Sequence, residues 1–281
     1  MATVDDKHPK SGAIDEKALI AKLQAEHTQT QIKTSKFPTE VIDLPSKGLL
    51  YPEGHPLANG TIEMKYMTAR EEDILSSPNL IKQGIVIDKL LQSLIITPIN
   101  YNDIITGDKN AIMIASRILG YGKEYKSTIT CSECEEEQDY TIDLTKLDDK
   151  EFDESLITPH TNSFVYTLPK SGRKITFKLI NHGEDKQIET ELKAKIKTGN
   201  STEITSRLSK IITSVDGNTD NQYIRNFVEN ELFAIDSKDL RSYIQKINPD
   251  IDTTINFNCI YCTHEEEMNL PITVDFFWPT L

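Results

Sequence analysis

The sequence predicts an α+β fold, a helical core bordered by antiparallel β-hairpins, on three observations. Strand-like segments come first, helical patterns follow and strands return, without the regular strand–helix alternation of a wound parallel sheet. Helix boundaries are marked by caps and breakers. Two Cys-x-x-Cys pairs each sit between segments that read as the two strands of a hairpin.

Residues 1–36 read as a flexible N-terminal arm, rich in Asp, Lys, Gln and Thr, with Ile14, Leu19, Ile20 and Leu23 at helical spacing. Such a segment is either a solvated tail or an arm that folds against a partner, because marginal amphipathic helices draw their stability from packing. Order is expected from Phe37-Pro38. Residues 45–54 carry two prolines and two glycines and predict turns around a short extended piece. Thr61–Met67 alternates as a strand with Ile62, Met64 and Tyr66 on one face. Thr68 and Glu71 have capping-box spacing and open a helix from Ala69 to Leu75 that ends near Pro78. A second helix is expected through Ile85–Ile95, closed by Pro98, and a third from Lys109 to Leu119 with Gly120 as its stop. Residues 37–125 thus form a helical N-terminal region.

An α+β region is expected over 126–281. Segments 163–168 and 174–179, joined by Pro169–Arg173, read as a hairpin. Helical patterns follow at 184–197, 203–213, 221–232 and 238–246, separated by Gly199, Asp216-Gly217-Asn218 and Asp236-Ser237 and ended by Asn248-Pro249.

Cys131 and Cys134 are separated by two residues, as are Cys259 and Cys262, with 124 residues between the pairs. That spacing lets a chain turn back so that both sulfurs face one ion, and two such pairs supply the four thiolates of a tetrahedral zinc site. Strands 125–130 and 139–144 flank the first pair, and 251–258 and 268–274 the second. Each pair is then a knuckle at a hairpin tip, and together they predict a zinc ribbon (126–145 and 251–275) split by a long insertion, with one structural zinc per chain. The two hairpins read in the same register, each with an acidic triplet, Glu135–Glu137 and Glu265–Glu267. Alternatives are four reduced cysteines that never meet, two separate sites, or His264 in place of a thiolate. Four thiolates leave no position for water, so the metal's role is mechanical, not catalytic.

Charge narrows the function. With 31 Lys+Arg against 44 Asp+Glu the chain carries −13, and residues 131–154 alone hold eleven acids against Lys146 and Lys150. Such a surface repels phosphate backbones, so nucleic-acid binding is not expected. No apolar run reaches membrane-spanning length and the N-terminus has no apolar signal segment, so a cytoplasmic site of synthesis with reduced cysteines is expected. Nucleotide loops, zinc-protease helices and nucleophile elbows are missing from the sequence, which predicts neither an enzyme nor a small-molecule substrate. Asn181–Asp185 could be drawn as an acid/base pocket around His182, but acids at a helix start more simply cap it. Gly120–Tyr125 reads as a helix stop turning into a strand. Asp275-Phe276-Phe277-Trp278-Pro279 is core if buried and a partner anchor if exposed.

Several segments together resemble the baseplate hub and hub-assembly proteins of T4-like contractile-tailed bacteriophages: Leu44–Gly48 with Tyr51-Pro52, Met67–Leu75, Ile118–Tyr125, Ser214–Gly217, Asp239–Arg241, Pro249–Asp252, both Cys-x-x-Cys pairs and Asp275–Pro279. The similarity spans about 37 to 281, and the family's four cysteines are all present. It implies a non-enzymatic structural or assembly component of a tail baseplate hub, in the virion or in the host cytoplasm during assembly, that contacts other baseplate and tail hub proteins. The competing expectation is a zinc-ribbon nucleic-acid adaptor or transcription factor, against which stand the six glutamates on the knuckles.

Overall fold

The alternation at Thr61–Met67 produces the first hairpin. In the computed structural model, which describes residues 38–196, 202–270, 272 and 276–278, β1 (Thr39–Asp43) pairs antiparallel with β2 (Thr61–Lys65), Ile42 opposite Ile62. β2 buries Ile62 and Met64, whereas Tyr66 lies beyond the strand and is exposed. The arm expected over 1–36 falls outside the described residues, as do Gly199, Asp275 and Pro279. Gly48, at φ +77°, closes the intervening loop so tightly that a Cβ there would meet the Ala58 carbonyl oxygen at 2.3 Å.

Helix α1 (Ala69–Leu75) starts as its capping box requires: the Thr68 amide donates to the Glu71 carboxylate at 3.0 Å. Glu71 is fully buried and paired with Lys65 at 2.8 Å, so the cap also ties the helix to β2. Pro78 does not simply end this helix. It occupies the first turn of a further one, α2 (Pro78–Gln83), where its missing amide is no loss. In α3 (Val86–Leu94), Leu90, Leu91 and Leu94 are fully buried, each contributing roughly 1.5–3 kcal/mol. Helix α4 (Thr106–Tyr121) runs past the expected stop: Gly120 is helical because Met67 packs on it, a Cβ there meeting the Met67 sulfur at 2.4 Å, and Gly122 at φ +84° ends the helix.

The second half adds β5 (Phe164–Thr167) and β6 (Lys174–Phe177), the expected hairpin, and a third strand, β7 (Ile212–Val215), antiparallel to β6. Around this sheet lie α5 (His182–Ile196), α6 (Glu203–Ile211), α7 (Asn221–Asn226) and α8 (Ala234–Ile247). The pattern at 221–232 is helical but its last turn, Phe227–Glu231, widens to a π turn that buries Phe227 and Val228 in succession.

Two more hairpins carry the cysteines: β3 (Glu124–Thr130) with β4 (Glu137–Asp143), and β8 (Thr254–Asn258) with β9 (Glu265–Asn269). β9 begins three residues earlier than the expected strand at 268–274, because the acidic triplet is itself extended. The 110 residues between the hairpins return to the same place through main-chain bonds. Lys150 N–H donates to the Asp250 oxygen and Asp252 N–H to the Asp148 oxygen, both at 2.8 Å, while Asn110 donates to the Asp250 carboxylate at 2.9 Å. Gly107 lets α4 approach this crossing: a Cβ would lie 1.9 Å from the Pro249 oxygen. At the other hairpin, the buried Arg117 guanidinium donates to the carbonyls of Gly122 and Glu124, fixing the entry to β3.

One large apolar cluster joins both halves, and Phe276 and Phe277 belong to it, Phe276 meeting Tyr125 edge-on at 5.1 Å. The C-terminal aromatic pair is therefore core and not a free anchor. A second, small cluster of Ile129, Cys131, Phe257 and Cys259 lies under the cysteine tips.

Candidate metal centre

Each knuckle is a strand end that folds back on itself in the same way. Cys131 N–H donates to the Glu136 oxygen at 3.0 Å and Glu135 N–H to the Cys131 oxygen at 3.0 Å. In the second knuckle Cys259 N–H donates to His264 at 2.8 Å and Thr263 N–H to Cys259 at 3.1 Å. Glu135 and Thr263 both take φ +60°, the left-handed residue that lets the chain reverse. The first cysteine of each pair is buried and the second half-buried, so the two knuckles are related by an approximate twofold. In this relation Glu135-Glu136-Glu137 matches Thr263-His264-Glu265. The acidic triplets that looked equivalent in sequence are two residues out of step.

The four sulfurs lie within 4.8 Å of one another, with Cys131–Cys262 and Cys134–Cys259 both at 3.7 Å. A tetrahedron of thiolates about 2.3 Å from a central ion has edges of about 3.8 Å. All four cysteines expected from spacing are thus brought together, each offering one sulfur, in a set that can hold a metal ion. The electrostatics agree. Burial pushes the Cys259 thiol up, but the amides of Cys262 and Tyr261 and its neighbouring thiols overrule it and bring it down to about 7. At Cys262 the His264 amide lowers the thiol, yet burial and the other three sulfurs push it up to about 12. Thiolates this close repel one another, and a divalent cation among them offsets that repulsion.

Cross-hairpin contacts hold the sulfurs in place. On β4 the alternate residues Gln138, Tyr140 and Ile142 face inward. The Gln138 amide donates to the Asn258 oxygen at 3.0 Å and accepts from the Ile260 N–H at 2.9 Å, and the Tyr140 hydroxyl donates to Asn256 at 2.8 Å. In the same direction Ser132 donates to Glu266 at 2.9 Å and sits 3.3 Å from the His264 ring. His264 is therefore turned toward Ser132 and Glu266, outside the sulfur group. Gln138 was not singled out from sequence, although an inward-facing polar residue beside a knuckle is the signal that marks it.

The His182 loop resolves as a cap inside an ion-pair cluster. Glu184 N–H donates to the Asn181 side chain at 2.9 Å, and the Asn181 N–H returns to Glu184 at 3.3 Å. The buried His182 ring lies 3.3 Å from Asp88 and 3.1 Å from the Lys109 ammonium, edge-on to Tyr101. Burial opposes ionisation of Asp88, but contacts with His182 and Lys109 hold its carboxyl well below the usual range.

Compared with known proteins, residues 38–278 match the family model described as T4 bacteriophage base plate protein. No curated protein and no solved structure matches the chain. Among the described residues no helix is long and apolar enough to cross a membrane.

Proposed function

Because the chain belongs to the T4 bacteriophage base plate protein family, and so is a structural component of a phage tail baseplate, we propose that it serves the baseplate hub or its assembly as a zinc-stapled, non-enzymatic subunit. The observation that carries this reading is the tetrahedral-sized cluster of Cys131, Cys134, Cys259 and Cys262 at the tips of two hairpins distant in sequence. These four residues would hold one structural zinc. Bound there, the ion supplies charge compensation and a cross-link, fastening residue 131 to residue 262 where the apolar cluster beneath is too small to do so alone. The hairpin pair is then a zinc ribbon.

In this reading the chain comprises an arm (1–36), a helical region (37–125) and an α+β region (126–281) carrying the ribbon. Contacts to other baseplate and tail hub proteins run through the arm and the ribbon; Phe276 and Phe277, being core, are not among them. The acidic ribbon surface disfavours nucleic acid and keeps the free subunit soluble. Mass spectrometry of finished particles beside baseplate intermediates tests the role. A hub component is present in both, an assembly factor only in the intermediates, and absence from both rejects the reading.

A further inference from the structure

The two knuckles differ at the residues between their cysteines. The first carries Ser132 and Glu133; the second carries Ile260 and Tyr261, which are 72 % and 59 % exposed, Ile260 more so than any other large hydrophobic residue among those described. Closing a four-thiolate site does not require an apolar pair, as the twin knuckle demonstrates. Nor is the pair loose. Gln138 accepts the Ile260 amide at 2.9 Å and the Cys259 sulfur accepts the Tyr261 amide at 3.4 Å, so the tip is ordered before any partner arrives and loses little entropy on docking.

Its surroundings specify the partner. Glu133, Glu135, Glu136, Glu265 and Glu267 are exposed on the same two knuckles, and no Lys or Arg occurs between Lys126 and Lys146 or after Lys246. A second copy would bring two such faces together, and nucleic acid or an anionic membrane would be repelled in the same way. We propose that the Ile260–Tyr261 tip is an anchor that inserts into an apolar pocket rimmed by Lys and Arg on another baseplate protein. The proposal rests on the baseplate reading above and adds the docking residues and the chemistry of their receptor. The aliphatic and aromatic side chains would supply the desolvated centre of the contact and the glutamates its salt-sensitive rim.

The test is co-sedimentation of the purified full-length, metal-loaded chain with baseplate intermediates of its phage, using wild type, an Ile260→Ser/Tyr261→Ser double variant and a Glu265→Lys/Glu267→Lys variant. Metal content and melting temperature equal to wild type separate a docking defect from a folding defect. Expected is binding by wild type that weakens steeply as salt rises from about 0.05 to 0.5 M. Loss of the two anchors should weaken it by at least about 30-fold, charge reversal should weaken it at low salt, and carbodiimide cross-links should run from Glu265 or Glu267 to partner lysines. Undiminished binding by the metal-loaded double-serine variant overturns the anchor while leaving the baseplate reading intact, and so does a tip that captures only a second copy of the chain. Failure of wild type to bind any intermediate overturns both.

Discussion

The side-chain oxygen of Gln138 accepts the amide of Ile260 at 2.9 Å across 122 residues of sequence, while the same side chain donates to the Asn258 carbonyl. One amide on the first hairpin thereby grips the backbone on both sides of Cys259 in the second. Gln138 is 5 % exposed, so its own amide has no easy recourse to water and the two bonds are what satisfy it. Gln138→Ala should lower stability by about 1–3 kcal/mol. It should also weaken metal binding by roughly 10–100-fold without changing stoichiometry, as loss of a ligand-orienting contact does. Chelator competition on the purified variant measures this, and unchanged affinity would show the grip to be irrelevant to the metal.

Gly107 should tolerate nothing larger. An added methyl meets backbone, the Pro249 oxygen, and not a yielding side chain. Gly107→Ala is expected to cost more than about 3 kcal/mol, above the usual range for overpacking, because the crossing of 148–150 with 250–252 must shift. Urea denaturation reads the loss. A variant within 1 kcal/mol or so of wild type would mean that the crossing gives way easily.

Asp88 should govern part of the acid limb of stability. Its folded carboxyl binds a proton less readily than the unfolded one. The stabilisation is therefore complete above the unfolded value of about 3.9, declines as the pH falls below it, and disappears beneath the folded value. Asp88→Asn, which leaves Lys109 and His182 without their shared carboxylate, should be most destabilising at neutral pH and converge on wild type as the pH drops below about 4. Denaturation curves across that interval decide it; a penalty independent of pH would contradict the assignment.

The C-terminal aromatics should behave as core. Phe276 is completely buried against Tyr125. Phe276→Ala should destabilise the protein by about 3–5 kcal/mol, a shift visible in thermal melts. A partner-binding defect in a variant of wild-type stability would instead return this residue to the surface.

Much of the architecture was legible because local signals and tertiary demands coincide. Thr68 and Glu71 cap a helix, Pro169–Arg173 turns a hairpin, and two Cys-x-x-Cys pairs sit at strand ends. Signals failed where a distant residue decided. Gly120 looks like a stop but is a seat for Met67, and Pro78 looks like a terminator but starts α2. Ile212–Val215 continues the apolar spacing of α6 and becomes β7 only because β6 offers an unpaired edge. The two acidic triplets suggested a register that the knuckles do not share, since the left-handed residues, Glu135 and Thr263, set the alignment. Gln138 and the Asp88–His182–Lys109 cluster depend on partners far along the chain, which spacing alone does not reveal.

The central claim is that four thiolates from two distant knuckles share one structural zinc. Elemental analysis combined with zinc K-edge absorption on the purified chain tests it most directly. The account predicts about one zinc per chain, four sulfur neighbours at about 2.3 Å, and loss of both metal and ribbon structure in Cys131→Ser or Cys259→Ser. A metal-free protein of full stability, or a zinc shell containing nitrogen, would contradict it.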